Sequence, residues 1–147
     1  MGSTVVALHI SGADFELAWV GDSRCYLAMG TELKQLSSDH SFMQELIDAG
    51  VISPEQAKTS RYRNVVTQAL GITVPEALQI DSVRGTLRSG MQFLLCSDGL
   101  TEAVNDAEIA QILSCDTPAQ AATEQLVAAA LAGGGTDNVT VVLVGIK

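Results

Sequence analysis

Apolar and polar positions follow two different periods along this chain, and the changes from one to the other mark out its elements. Thr4–Ile10 is apolar on both faces, which predicts a strand lying inside a layered structure. Phe15–Val20 puts Phe15, Leu17 and Trp19 on one face, Arg24–Met29 resumes the strand pattern after Gly21-Asp22-Ser23, and Leu33–Leu36 follows a turn at Gly30-Thr31-Glu32. Polar turns at hairpin spacing predict a meander of short antiparallel strands. After Ser37-Ser38-Asp39-His40 the period becomes helical. Ser41 with Gln44 makes a capping box, Phe42, Leu46 and Ala49 share a face, Gly50 stands at the stop, and Ser53-Pro54 opens a second short helix. Thr59–Asn64 fits a surface excursion, and Val65–Leu70 and Ala77–Val83 read as strand-like or mixed pieces. A strand over Met91–Ser97, a short helix from Asn105 to about Leu113, and a longer one opened by Thr117-Pro118, reaching about Ala132 and ended by three glycines, complete the chain. Strands in runs and helices in pairs, without regular βαβ alternation, predict an α+β layered domain with antiparallel sheets.

Two of the predicted strands end or begin on an acid. Phe93-Leu94-Leu95-Cys96 is a buried run broken by Ser97-Asp98-Gly99, and Thr136-Asp137-Asn138 leads into the run Val139–Ile146. If the two strands are antiparallel neighbours, Asp98 and Asp137 converge at one end of one sheet, rigidly held yet open to solvent, as a metal or acid/base site requires. Asp22, between two strands, could be a ligand but reads more readily as a turn residue satisfying backbone N–H groups. His40 beside Asp39 reads as a capping or packing residue rather than a catalyst. The glycine triplet lacks the Lys and the strand-before-helix order of a phosphate-binding loop and reads as a helix exit.

Composition narrows what such a site serves. The 147 residues, 47% apolar and 17% charged, make one globular domain, and no apolar stretch approaches a membrane span. A formal charge of −9 argues against nucleic acid and suits hard divalent cations or a basic partner. Cys25, Cys96 and Cys115 form neither a disulfide framework nor a zinc site and read as reduced residues of a cytoplasmic protein. Met1–Thr4 has neither the basic start nor the apolar core of a signal peptide.

Gly21-Asp22-Ser23-Arg24, Ser38-Asp39-His40, Arg61–Gly71, Leu94–Gly99 and Gly134–Val139 occur in the order and approximate spacing of the type 2C metal-dependent serine/threonine protein phosphatases. The chain resembles that family, its bacterial members most closely, from about Gly2 to the last strand. The resemblance implies an αββα sandwich with two or three Mn²⁺ or Mg²⁺ ions between its sheets and hydrolysis of phosphoserine and phosphothreonine in proteins. It assigns Asp98 and Asp137 to the first metal, Asp39 with Asp98 to a third and weaker one, and Glu102 to a supporting position. It makes Asn138 the residue that orients Asp137, and residues 41–64 a flap over the site, from which Arg61 and Arg63 reach substrate.

The departure from the family is an absence. No DGxGG segment, whose aspartate bridges the metals, and no accompanying phosphate-holding base occur in this sequence. The resemblance therefore implies the C-terminal part of a larger phosphatase domain, with Met1 an internal start or the N-terminal portion lost. Two readings of different class follow: a phosphatase whose activity belongs to the complete domain, or a non-catalytic module that binds a phosphoprotein or a kinase. Partners are expected to be a phosphorylated protein, a serine/threonine kinase or its targets, with no nucleic acid and no membrane. Self-association through an exposed edge at Val5, Val6 and Leu8 is expected as well.

Overall fold

The computed structural model describes residues Met1–Lys147. Strands β1 (Val5–Ser11) and β2 (Asp14–Val20) form a hairpin, β3 (Arg24–Met29) and β4 (Glu32–Gln35) a second, and helices α1 (Phe42–Asp48) and α2 (Pro54–Thr59) follow. The chain continues through β5 (Asp81–Thr86), β6 (Gln92–Cys96), the single turn α3 (Asp98–Thr101), α4 (Asp106–Ser114), α5 (Ala119–Ala132) and β7 (Val141–Gly145). The strands make two wholly antiparallel sheets, ordered β1-β2-β5 and β4-β3-β6-β7. No helix is long and apolar enough to cross a membrane.

Side-chain alternation along the strands builds two cores. Phe15, Leu17 and Trp19 of β2 point between the sheets and meet Cys25 and Phe93 from the other side, with the Phe15 and Phe93 rings edge to face at 4.9 Å. Tyr26, Leu94 and Cys96 point the other way and pack under Leu100, Ile109, Leu113, Leu126 and Ala130 of the helices. Strand β6 is thus covered on both faces, which is why its sequence is a continuous apolar run rather than an alternating one. Burying each of its large side chains contributes about 1.5–3 kcal/mol, enough to make β6 a rigid mount for whatever follows Cys96.

Of four expected layers three are present: a three-stranded sheet, a four-stranded sheet, and helices α3, α4 and α5. No helix packs extensively on the outward face of the three-stranded sheet. This overturns the expectation for the first strand. With β2 on one side only and no layer outside it, β1 is an edge strand with Val5 and Ile10 exposed, apolar on both faces but not interior.

The expected meander also breaks, because the chain passes from one sheet to the other at Gly21–Ser23, and β2 pairs with β5 rather than with β3. Gly21 takes φ 108 there, a conformation that side chains disfavour. Helix α1 buries Met43 while Phe42 stays exposed, and only half of its capping box forms: Ser41 accepts from the Gln44 N–H, but the Gln44 side chain turns to Asp48. The box at Ser53 is complete. Val65–Leu70 carries only isolated bridges, Ser41 to Val66 and Ser3 to Leu70, and is not a strand. Pro118, not Thr117, holds the cap position of α5.

Candidate metal centre

Strands β6 and β7 are neighbours, in a register that sets Cys96 opposite Val141. Beyond that last pair the two chains stay laced together. The Ser97 N–H donates to the Thr140 carbonyl at 3.0 Å, the Thr140 N–H to Ser97 Oγ at 3.0 Å, and Ser97 Oγ–H to the Asn138 carbonyl at 3.3 Å. The same carbonyl lies against the Cα of Gly99, where any Cβ would collide with it. Asp98 and Asp137 are therefore brought to one end of the sheet by backbone geometry, as the sequence pattern predicted.

The electrostatics of that end show several unneutralised acids in one place. The Asp98 pKa is raised, first by burial and then by the Asp137 charge, with Asp39 adding and the Gly99 N–H opposing. The pKa of Glu102, the residue that ends α3, is raised by burial and by the charges of Asp98 and Asp137, while Arg63 lowers it. Asp22 is raised from 3.8 to about 6, by burial first and then by Asp98 and Asp39. Local sequence favours a turn role for Asp22 over a ligand role. The structure instead places it where the charges of Asp98 and Asp39 act on it. The available signal was an acid just past the end of an apolar strand, at Asp22 as at Asp98.

Asp39 has a different environment. Arg24 Nε donates to Oδ1 at 2.9 Å and to Oδ2 at 3.1 Å, Arg24 Nη2 donates to Oδ2 at 2.7 Å, and Gln35 Nε2 donates to Oδ1 at 3.2 Å. Burial would lower the Arg24 pKa, but its hydrogen bonds to Asp39 and that carboxylate's charge outweigh it, so the pair is ionic. The far side of the guanidinium donates to the Tyr26 hydroxyl at 3.0 Å, which in turn donates to Asp106 at 3.0 Å.

His40 is buried and packs, as expected. Its Nδ1 accepts from the Gly21 N–H at 3.0 Å, which places the ring proton on Nε2, where it is donated to Asp81 at 2.8 Å. The Asn138 backbone N–H donates to Asp137 Oδ1 at 2.7 Å. In the 41–64 segment, Arg61 lies over the Tyr62 ring at 4.6 Å, and Tyr62 meets Phe42 edge to face. Arg63 is thus the one of the two arginines whose charge is felt among the acids.

The donor set is all oxygen, which suits Mg²⁺ or Mn²⁺ and not a soft metal. Burial pushes the Cys25 and Cys96 thiols up to about 12, so neither offers a thiolate. Mutual repulsion among Asp22, Asp98, Glu102 and Asp137 is what a cation would relieve. Yet no three His, Cys, Asp or Glu side chains are arranged to close on a single ion. The residues fit a hard cation in kind, and they form part of a cage.

Comparison with known proteins gives the same direction. Residues 1–46 match the family model described as protein phosphatase 2C. The protein phosphatase PhpP of Streptococcus pneumoniae is 42% identical over 144 residues, 98% of this chain and 58% of that relative. The crystal structure of the Mycobacterium tuberculosis serine/threonine phosphatase PstP/Ppp superposes with a TM-score of 0.92 at 37% identity, covering 100% of this chain and 61% of that one. The catalytic domain of PstP in complex with two manganese ions superposes with a TM-score of 0.84 at 38% identity, covering 97% and 58%. The chain thus spans 58% of the length of the curated relative just named.

Proposed function

The chain belongs to the protein phosphatase 2C family, and from that premise we propose that it contributes to metal-dependent hydrolysis of phosphoserine and phosphothreonine in proteins, an activity of the complete domain. The observation that carries the reading is the convergence of Asp98 and Asp137 on one sheet end, fixed by the Ser97–Thr140 hydrogen bonds. In this proposal Asp98 and Asp137 hold the first cation, and Glu102 and Asp22 flank it from α3 and from the sheet crossing. The Asn138 N–H holds the Asp137 carboxylate in orientation. When bound, Mn²⁺ or Mg²⁺ lowers the pKa of a water and neutralises phosphate oxygens. The rest of the work is positioning, in which Arg63, and Arg61 once it leaves Tyr62, contact the substrate phosphate from the 41–64 flap. The partner is a phosphorylated protein, such as a serine/threonine kinase or its target, and the buried thiols Cys25 and Cys96 suit a cytoplasmic setting.

The incomplete cage favours a second reading, in which this stretch alone binds a phosphoprotein or kinase without turnover. One experiment separates them: phosphate release from a phosphothreonine peptide in Mn²⁺. The 147-residue chain alone is expected to turn over no faster than its Asp98→Asn variant. A polypeptide continued upstream through a DGxGG segment is expected to turn over readily and to lose activity with Asp98→Asn. Turnover by the shorter chain, abolished by Asp98→Asn, overturns its inactivity. An inactive longer polypeptide overturns the phosphatase reading.

A further inference from the structure

We propose that Ser37–His40 is a clamp that sets the position of Asp22, and that Asp39 serves the cation site by holding Arg24 rather than as a ligand. This rests on the proposed role of Asp22 as a cation-facing carboxylate.

The loop Gly21-Asp22-Ser23-Arg24 joins two different sheets, so no strand pairing fixes it at its middle. It is instead gripped at both ends by one short segment. At its start, the Gly21 N–H donates to His40 Nδ1 at 3.0 Å and the Gly21 carbonyl accepts from the His40 N–H at 2.9 Å. At its end, Arg24 holds Asp39 through the three hydrogen bonds given above. The gripping segment is itself tied to both sheets. Trp19 Nε1 of β2 donates to the Ser38 carbonyl at 2.8 Å, the Cys25 N–H of β3 donates to Ser37 Oγ at 3.0 Å, and His40 Nε2 reaches Asp81 of β5. Asp22 is the one loop carboxylate left over.

Asp39 is ill placed to ligate. Both its oxygens are occupied by charge-assisted donors, and its side chain is only 10% exposed. A cation approaching it would have to displace a guanidinium that is braced from behind by Tyr26 and Asp106. Asp22 has no such hydrogen-bonded guanidinium, since all of the Arg24 contacts to a carboxylate go to Asp39. Ser38-Asp39-His40 and Gly21-Asp22-Ser23-Arg24 are therefore halves of one mechanical device.

Two measurements test this on the whole chain. The first needs no metal: amide hydrogen exchange at Gly21, with Phe93 in the buried β6 reporting global opening. In His40→Leu the Gly21 amide is expected to exchange at least about tenfold faster relative to Phe93, and His40→Gln, which keeps an acceptor, to recover part of that protection. The half-exposed Asp81→Ala is the milder variant should His40→Leu fail to fold, with about a threefold selective acceleration expected. Gly21 and Phe93 changing in parallel overturns the clamp.

The second is Mn²⁺ titration by calorimetry. Asp22→Asn is expected to weaken binding more than about tenfold, and Asp39→Asn, which keeps an oxygen for Arg24, less than about threefold. Equal losses make Asp39 a ligand and overturn the assignment. Unchanged binding in Asp22→Asn overturns the cation role of Asp22, and the Gly21 result then shows separately whether the clamp stands.

Discussion

Replacing Asp22 by Asn should make the metal-free protein more stable at neutral pH. The carboxylate is half-buried among Asp98 and Asp39, and its pKa is raised from 3.8 to about 6. Each tenfold preference for the protonated form is worth about 1.4 kcal/mol, so keeping the charged form costs the fold ~3 kcal/mol at most. Solvent reaches the side chain and screens its neighbours, which reduces the figure to ~1–2 kcal/mol. Between 3.8 and about 6 the folded state binds a proton that the unfolded state does not. This stabilisation is therefore full below that window and lost as pH rises through it. Asn is isosteric, uncharged at every pH, and removes the penalty. Urea denaturation in a chelator, followed by the single tryptophan Trp19, is the assay. At about pH 7.5 the variant should gain ~1–2 kcal/mol, a rise of about 3–6 °C in Tm, and at about pH 5 the gain should shrink. Mn²⁺ should offset this gain by stabilising the wild type more than the variant. A loss of stability at neutral pH, or a gain independent of pH, would refute the placement of Asp22 among unneutralised acids.

Three further outcomes follow. Calorimetric titration of the chain with Mn²⁺ should show weak binding that Asp137→Asn removes, since no three carboxylates close on one ion; tight binding of two ions contradicts this. Gly99→Ala should destabilise the fold by about 1–3 kcal/mol in urea and weaken Mn²⁺ binding, because the new methyl group displaces the Asn138 carbonyl and with it the Asp137 loop; an unchanged midpoint argues against the close approach. The exposed edge β1 should cause concentration-dependent self-association in light scattering, reduced by Val5→Lys, whereas a clean monomer throughout counts against it.

Local signals decided what was legible. The period-2 face of Phe15, Leu17 and Trp19, the two-sided run of β6 and the cap at Ser53 each act within a few residues, and each appears where the sequence places it. The pairing of Asp98 with Asp137 was readable because both lie beside strands with no other plausible end to share. What failed depended on partners far along the chain. Thr4–Ile10 is apolar enough for an interior strand, and only the absence of a covering layer makes it an edge. Asp22 and Asp39 are both acids beside turns, and nothing local says that Arg24 neutralises one and leaves the other bare. That choice is made across 15 residues of sequence, by a guanidinium that folds back from β3.

The crossing at Gly21–Arg24 has a mechanical corollary. Asp98 and Asp137 are both mounted on the four-stranded sheet, while Asp22 rides on the link between that sheet and its neighbour. An ion bridging Asp98 and Asp22 would act as a rivet through the seam, opposing the sliding of one layer over the other, and its grip would loosen with any such slip. Forces applied to the two sheets would thus be felt at the carboxylates before either core opened. The affinity of such an ion becomes a strain gauge for the sandwich.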